Sequence, residues 1–199
     1  MKTCLSLLLI LGIIFSGYSQ DENDQTDSQQ RLDDFTEAKR HEVSLDVIAI
    51  LAIPAFQPRY EYILGRYSGL GADVFIAFNN DDVDYEELEK FSITPFYRQY
   101  FFSKEDYGAK GFYGEGFIKA YTYERDYNYF ESGFDPTFVS TTETYFETAV
   151  GVSIGWKWVS NSGFMIDLSF GIGRNLGFAD DPESFAVIPR GGLHFGWRF

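Results

Sequence analysis

Cysteine is almost missing from this chain. Its one occurrence, Cys4, stands ahead of an apolar run from Leu5 to Phe15. The remainder therefore has no thiol for a disulfide, a nucleophile or a cysteine metal site. Histidine occurs only as His41 and His194, so imidazole chemistry has two candidates. Basic residues are few, 16 Lys and Arg against 30 Asp and Glu, and they form no stripe of the kind a nucleic-acid binder needs. No segment is a membrane helix either, since a span takes about 20 apolar residues and Leu5–Phe15 is too short. A β-barrel also lacks such helices, because its spanning strands need only about 9–11 residues of alternating polarity.

Aromatics and glycine are abundant: 21 Phe, 14 Tyr and 19 Gly in 199 residues. That loading points to β-structure. Residues 1–19 read as a cleaved signal peptide, with Lys2, the apolar run and Gly17-Tyr18-Ser19 as a small-x-small site. Residues 20–41 read as a disordered acidic periplasmic segment with little to bury, although a short helix around Asp33–Arg40 is conceivable. Residues 42–199 then form one domain. The charge of −14 sits mainly in the lead and in the stretches Asp81–Lys90, Arg125–Glu143 and Asp180–Glu183, which leaves a nearly neutral body with acidic connections.

Eight strands are expected: Glu42–Ile53, Arg59–Gly65, Leu70–Asn79, Phe91–Phe102, Gly111–Glu124, Thr144–Val159, Phe164–Arg174 and Val187–Phe199. The last shows the pattern best. Val187, Pro189, Gly191, Leu193, Phe195, Trp197 and Phe199 share one face, and Arg190, His194 and Arg198 lie on the other. A strand between lipid and a polar lumen needs such faces. Leu193, Phe195, Trp197 and the terminal Phe199 also resemble the C-terminal signal by which bacterial outer-membrane barrels are recognised for insertion. Short connections at Arg66–Gly69, Ser103–Lys110 and Ser160–Gly163 alternate with longer acidic ones, as expected when both ends are periplasmic. The first connection, Pro54–Pro58, is short where a long one was allowed.

On this phasing Asp46, Glu61, Asp73, Arg98, Glu115, Lys119, Glu147, Lys157, Asp167, Arg190 and Arg198 all face inward. Six acids and five bases suit a paired network in a narrow bore, because isolated charges there are expensive. An eight-stranded bore is filled by side chains. Inward glycines are expected to make room for Arg and Lys. Tyr60, Tyr62, Tyr97, Trp156, Trp158 and Trp197 are candidates for interfacial aromatic belts. The competing fold is a water-soluble barrel or sandwich with the apolar faces turned inward.

Five runs carry a likeness: ITPFYRQYF at Ile93–Phe101, KGFYGEGF at Lys110–Phe117, GWKWVSNSGF at Gly155–Phe164, GIGRN at Gly171–Asn175 and IPRGGLHFGWRF at Ile188–Phe199. With them the chain resembles a family of small outer-membrane barrels of unknown function, common in Bacteroidota. The likeness implies the fold and the location and brings no activity or catalytic residue.

A hydrolase or acyltransferase needs a nucleophile, a base and an orienting acid. His194 with Ser153 or Ser169 is the one weak candidate set, and a hydrogen-bonded lumen is the favoured reading of the same residues. His41 is expected to be solvated at the rim. Asp81, Asp82, Asp84 and Glu86 are a weak candidate for Ca²⁺, without the central glycine and spacing of a Ca²⁺ loop. The aromatic loop Tyr127–Phe138 is either a recognition surface or interfacial packing.

The sequence thus leads to an eight-stranded antiparallel outer-membrane β-barrel of a Gram-negative bacterium, structural or surface-interacting and not an enzyme. No cofactor and no nucleic acid is expected. Its partners would be outer-membrane lipid, lipopolysaccharide and the barrel-assembly machinery, with an extracellular ligand left open. A lipid-modifying enzyme using His194 and a small-solute pore are the alternatives.

Overall fold

The computed structural model describes residues 39–199 apart from 53, 79–86, 102–107, 132–136 and 182–184, and leaves the side chains of 87–88, 128–131 and 137–140 undescribed. The proposed signal peptide, most of the acidic lead and the acidic cluster Asp81, Asp82, Asp84 and Glu86 therefore lie outside the described residues. The elements are β1 (His41–Asp46), α1 (Val47–Ala52), β2 (Ala55–Phe56), β3 (Pro58–Gly65), β4 (Ser68–Ala77), β5 (Glu87–Tyr100), β6 (Gly111–Glu131), β7 (Thr137–Val159), β8 (Phe164–Asn175) and β9 (Val187–Arg198).

All pairings are antiparallel, and they close a ring β1-β3-β4-β5-β6-β7-β8-β9, with β2 prolonging the β3 position along β4. The protein is an all-β, closed eight-stranded barrel with one helix of six residues among those described. The register fixes its tilt. Starting at Glu42, the partners run Glu61, Gly71, Phe96, Phe117, Gly151, Gly173 and Ile188, whereas the partner of Glu42 on β9 is Arg198. The circuit returns ten residues away from its start. A shear of that size over eight strands, at about 3.3 Å per residue and about 4.8 Å between strands, inclines them by about 40° to the axis.

At one end lie the tight turns at Arg66–Tyr67 and Ser160–Gly163, the connection before β6, and both barrel ends. There His41 and Phe199 exchange two backbone hydrogen bonds, of 3.0 and 2.8 Å. The connections after β1, β4, β6 and β8 share the other end; the two longest, 47–57 and 176–186, are among them, although the β6–β7 connection is short.

Three expectations need correcting. The first strand stops at Asp46 and not at Ile53. The Asp46 carboxylate accepts the N–H groups of Ile48 and Ala49 at 2.8 and 3.4 Å, which is an N-cap, and the chain turns into α1. The stretch Arg125–Glu143, expected as a loop, is largely strand. β6 and β7 stay in register from Gly111↔Lys157 to Glu131↔Thr137. Finally, β5 begins at Glu87 inside the expected acidic loop, with Glu87 opposite Arg125 and an irregularity at Glu89/Phe91.

Ordinary protein polarity is inverted across the wall. Arg98, Asp167 and His194 are fully buried inside, while Phe170 (68% exposed), Val152 (65%), Trp156, Trp197 and Phe199 face outward. Leu193 and Phe195 are half-buried on that same outer face, and Phe164 packs edge-on against Trp197. A barrel that buries ions and exposes Val, Ile, Phe and Trp cannot draw its stability from apolar burial in water in the usual way.

Candidate functional site: the charged lumen and the cavity above it

The lumen is a chain of ion pairs assembled from all eight barrel strands. Glu42 on β1 and Glu61 on β3 are directly opposite one another, a like-charge juxtaposition that destabilises an isolated pair. Lys157, from β7 across the bore, resolves it. Its Nζ donates to Glu42 at 2.6 Å and to Glu61 at 2.8 Å. Arg198 donates to the other oxygen of Glu42 at 2.6 Å, and the Tyr100 hydroxyl donates to Glu61 at 2.6 Å.

Arg98 is the hub. Its Nε donates to Glu115 at 2.7 Å, and Nη1 donates to both Glu61 and Asp167 at 2.8 Å. Its guanidinium lies 4.2 Å from the Tyr113 ring centroid and 4.7 Å from that of Phe96. Arg59 spans Asp73 at 2.5 Å and Asp167 at 3.1 Å, and Arg190 spans Asp73 at 2.6 Å and Glu115 at 2.9 Å. The Tyr113 hydroxyl donates to the second oxygen of Asp167 at 2.6 Å. Each carboxylate here has at least two donors, which is what makes buried ions tolerable.

Gly71, Gly151 and Gly155 do a different job from the one expected of inward glycines. A Cβ on Gly71 would strike the Phe96 ring, and one on Gly151 would strike the Phe117 ring. These positions are vacated for aromatic rings, and the cations then lie on the rings, as Arg190 does 4.7 Å from the Phe117 centroid. Glycine, ring and guanidinium thus stack from wall to axis. This also explains why β6 turns Tyr113, Phe117 and Tyr121 into the lumen together with Glu115 and Lys119.

The end near the tight turns is closed. Arg198 donates to the carbonyls of Gly108 and Ala109 at 2.6 and 2.8 Å, drawing that connection into the bore. Ala109, at φ 49°, is buried there with Ile63, Tyr100 and Tyr113.

Of the residues expected inward, all eleven are on that side of the wall, and Asp46, Lys119 and Glu147 stand apart from the central network; Asp46 caps α1 and accepts the Leu193 N–H. Lys119 pairs with Glu89 at 2.5 Å. Glu147 accepts the N–H groups of Phe178 and Ala179 at 3.1 and 3.2 Å and so ties the β8–β9 connection to β7. Glu42 and Arg59 belong to the centre and were not in the expected set, although their strands' alternation put them in phase. Arg125, expected in a loop, is inward on β6 and pairs with Asp181 at 3.0 Å.

The candidate catalytic set is not assembled. Among the described residues neither ring nitrogen of His194 has a hydrogen-bond partner; Nε2 is 3.9 Å from Asp46 Oδ2. Ser153 donates instead to Glu115 at 2.8 Å, and Ser169 lies opposite Gly192 on the neighbouring strand. His41 is exposed, with Nδ1 2.6 Å from the Tyr60 hydroxyl and its ring stacked on Phe199. Among the described residues no group of three or more His, Cys, Asp or Glu is placed to hold a metal ion.

Above the ion pairs, toward the longer connections, the lumen opens into a cavity of about 440 Å³. Arg59 and Arg190 are on its lining, with Ser92 and Thr94 of β5, Lys119 of β6 and Phe75 of β4 around them. No protein-family model matches this chain, and no curated protein or solved structure matches it either.

Proposed function

We propose that this chain is an outer-membrane β-barrel, made with a cleaved signal peptide, that acts without catalysis as a structural or surface-interaction protein. The observation that carries the reading is the inverted polarity: a bore of paired ions inside a wall of Val, Ile, Phe, Leu and Trp. In water such a wall is an aggregation liability; in hydrocarbon it is the required outer face. The dimensions agree. β9, at 12 residues and about 40° of tilt, covers about 30 Å along the axis, close to the hydrocarbon thickness of a bilayer. The outward Tyr60, Tyr97, Trp156, Trp158 and Trp197 gather toward the tight-turn end, as one interfacial belt would.

In this reading the tight turns are periplasmic, and the β6–β7 hairpin with the acidic connections faces the exterior, against lipopolysaccharide. Barrel-assembly machinery would recognise Leu193, Phe195, Trp197 and Phe199. The likeness to the small barrels common in Bacteroidota belongs to the same proposal. Closure of the lumen by Arg198 and Ala109 favours a silent barrel over a solute pore, and planar-bilayer recordings without conductance steps are expected.

Membrane fractionation with heat-modifiable gel migration tests the placement. The expected result is an outer-membrane species that migrates faster unboiled than boiled. A protein recovered only from the soluble fraction would overturn the reading.

A further inference from the structure

Five consecutive residues of β9, Val187 to Gly191, line the cavity above the ion pairs. Successive residues of a strand point to opposite faces, so a cavity that touches all five reaches the strand's edge. That edge is open. β1 ends at Asp46, opposite His194, and from Val187 to Leu193 β9 has, among the described residues, only β8 as a strand neighbour. The N–H groups of Phe199 and Leu193 point to the β1 side, toward the His41 carbonyl and Asp46 Oδ1. By the period of two, Pro189 turns its missing donor to that same side, the place where a strand accepts proline. α1 stands where a longer β1 would run, and it holds Ile48, Ile50 and Leu51 (80%) exposed. The strandless edge covers about 15 Å of height, roughly half of the apolar band and on the side of the longer connections.

The lining also has a chemical bias. Arg59, Lys119 and Arg190 line the cavity with one acid, Glu89; each cation already holds a carboxylate, Asp73 and Asp167 for Arg59, Asp73 and Glu115 for Arg190 and Glu89 for Lys119, so an incoming anion would share these donors. Ser92 and Thr94 add hydroxyl groups, and Phe75, Phe185 and Pro189 supply apolar wall. We propose that the cavity binds a single-chain anionic amphiphile, a long-chain fatty acid. Its carboxylate lies against Arg190 and Lys119, and its tail leaves between β9 and α1 into the bilayer. A charged head held by donors with a chain still in hydrocarbon leaves neither end desolvated without a partner. The proposal rests on the membrane placement above.

The test uses the full chain refolded in phospholipid nanodiscs with palmitic acid bearing a diazirine beside its carboxylate. After irradiation, mass spectrometry maps the adducts. They are expected on Ile188–Gly191, Ser92 and Lys119 in excess over the outer-wall residues Val152, Ile154 and Phe170. Palmityl alcohol with the same label should bind about tenfold more weakly, the value of one charge-assisted hydrogen bond. Lys119→Gln should weaken the acid and leave the alcohol unchanged. Ile188→Trp, which fills the cavity, should lower cavity adducts to the outer-wall level. Heat-modifiable migration shows that each variant is folded. Equal labelling of cavity and outer wall in the wild type, or unchanged labelling in a folded Ile188→Trp, overturns the proposal. A chain that stays soluble without lipid fails the membrane reading instead, and the same labelling in solution still reads the cavity.

Discussion

The lower barrel and the upper part of the β6–β7 hairpin are built from the same two strands and obey different rules. On β7 the outward residues run Trp158, Trp156, Ile154, Val152, Val150, then Thr148, Phe146, Thr144 and Thr142. On β6 they run Phe112, Gly114, Gly116, Ile118, Ala120, then Thr122, Glu124 and Asp126. Ala120 pairs with Thr148, Thr122 with Phe146 and Glu124 with Thr144, so the outer surface changes from apolar to polar over the same few rungs of both strands and is polar on both by Glu124 and Thr144. β8 leaves β7 near the same height, where Asn175 pairs with Ala149. A 21-residue strand at this tilt rises about 50 Å, well beyond a hydrocarbon core of about 30 Å. The hairpin is held by its ladder and by polar links such as Thr142 to Asp126 at 2.6 Å and Tyr127 with Tyr145 at 3.0 Å. The barrel below is held by ions inside and by its surroundings outside. Under the proposed membrane placement, the contrast puts the change of solvent within a single pair of strands.

Substitutions in the two regions should therefore differ most where charge is buried. Lys157→Met leaves Glu42 and Glu61 facing each other, and removal of one member of such a buried network costs about 3–5 kcal/mol. Thr142→Val in the hairpin should stay within about 0.5 kcal/mol, as exposed sites do. Unfolding midpoints of the refolded protein in lipid vesicles under urea check both, and equal effects would break the contrast. On the outer face, Val152→Arg should cost about 2–4 kcal/mol in a bilayer, whereas Thr144→Arg eight residues earlier should be near neutral. A similar cost at both positions would mean that they meet the same solvent. Inside, Gly151→Val has to displace the Phe117 ring on which Arg190 lies and also meets the Ile172 carbonyl and Gly173 Cα of β8, an overpacking cost of about 3 kcal/mol.

The smallest effect is a pH slope. Burial and the Arg198 charge lower the Lys110 pKa to about 8 at the tight-turn end. The folded protein then releases this proton while the unfolded chain, near 10.5, still holds it. Stability should rise gently from about pH 8 to about pH 10 and be flat below, and Lys110→Met should remove the slope.

The barrel wall was legible because its alternation has only one interpretation per strand: ions in one phase, apolar groups in the other. The end of β1 was not. Asp46 is an inward charge in a strand and an N-cap before a helix, and the β-branched Val47 and Ile48 that follow suit a strand better. Pro189 carried the missing signal, since a proline inside an otherwise regular strand marks an unpaired edge. The upper hairpin was read as loop because its strands keep no apolar outer face there: Thr142, Thr144 and Asp126 stand on that side, so no alternation marks the strand. Contacts such as Lys157 with Glu42, 115 residues apart across the bore, follow from the shear and from nothing local.

Because Cys4 is the chain's one cysteine, site-directed spin labels can be placed on a Cys4→Ser background along β7 from Thr142 to Trp158. Accessibility to oxygen and to a water-soluble nickel chelate in liposomes reads the solvent at each position. The account predicts oxygen-rich, chelate-poor values at 150, 152 and 154, alternation with protected inward sites, and a switch to chelate access at 144 and 142. Chelate access along the whole outer phase would contradict it.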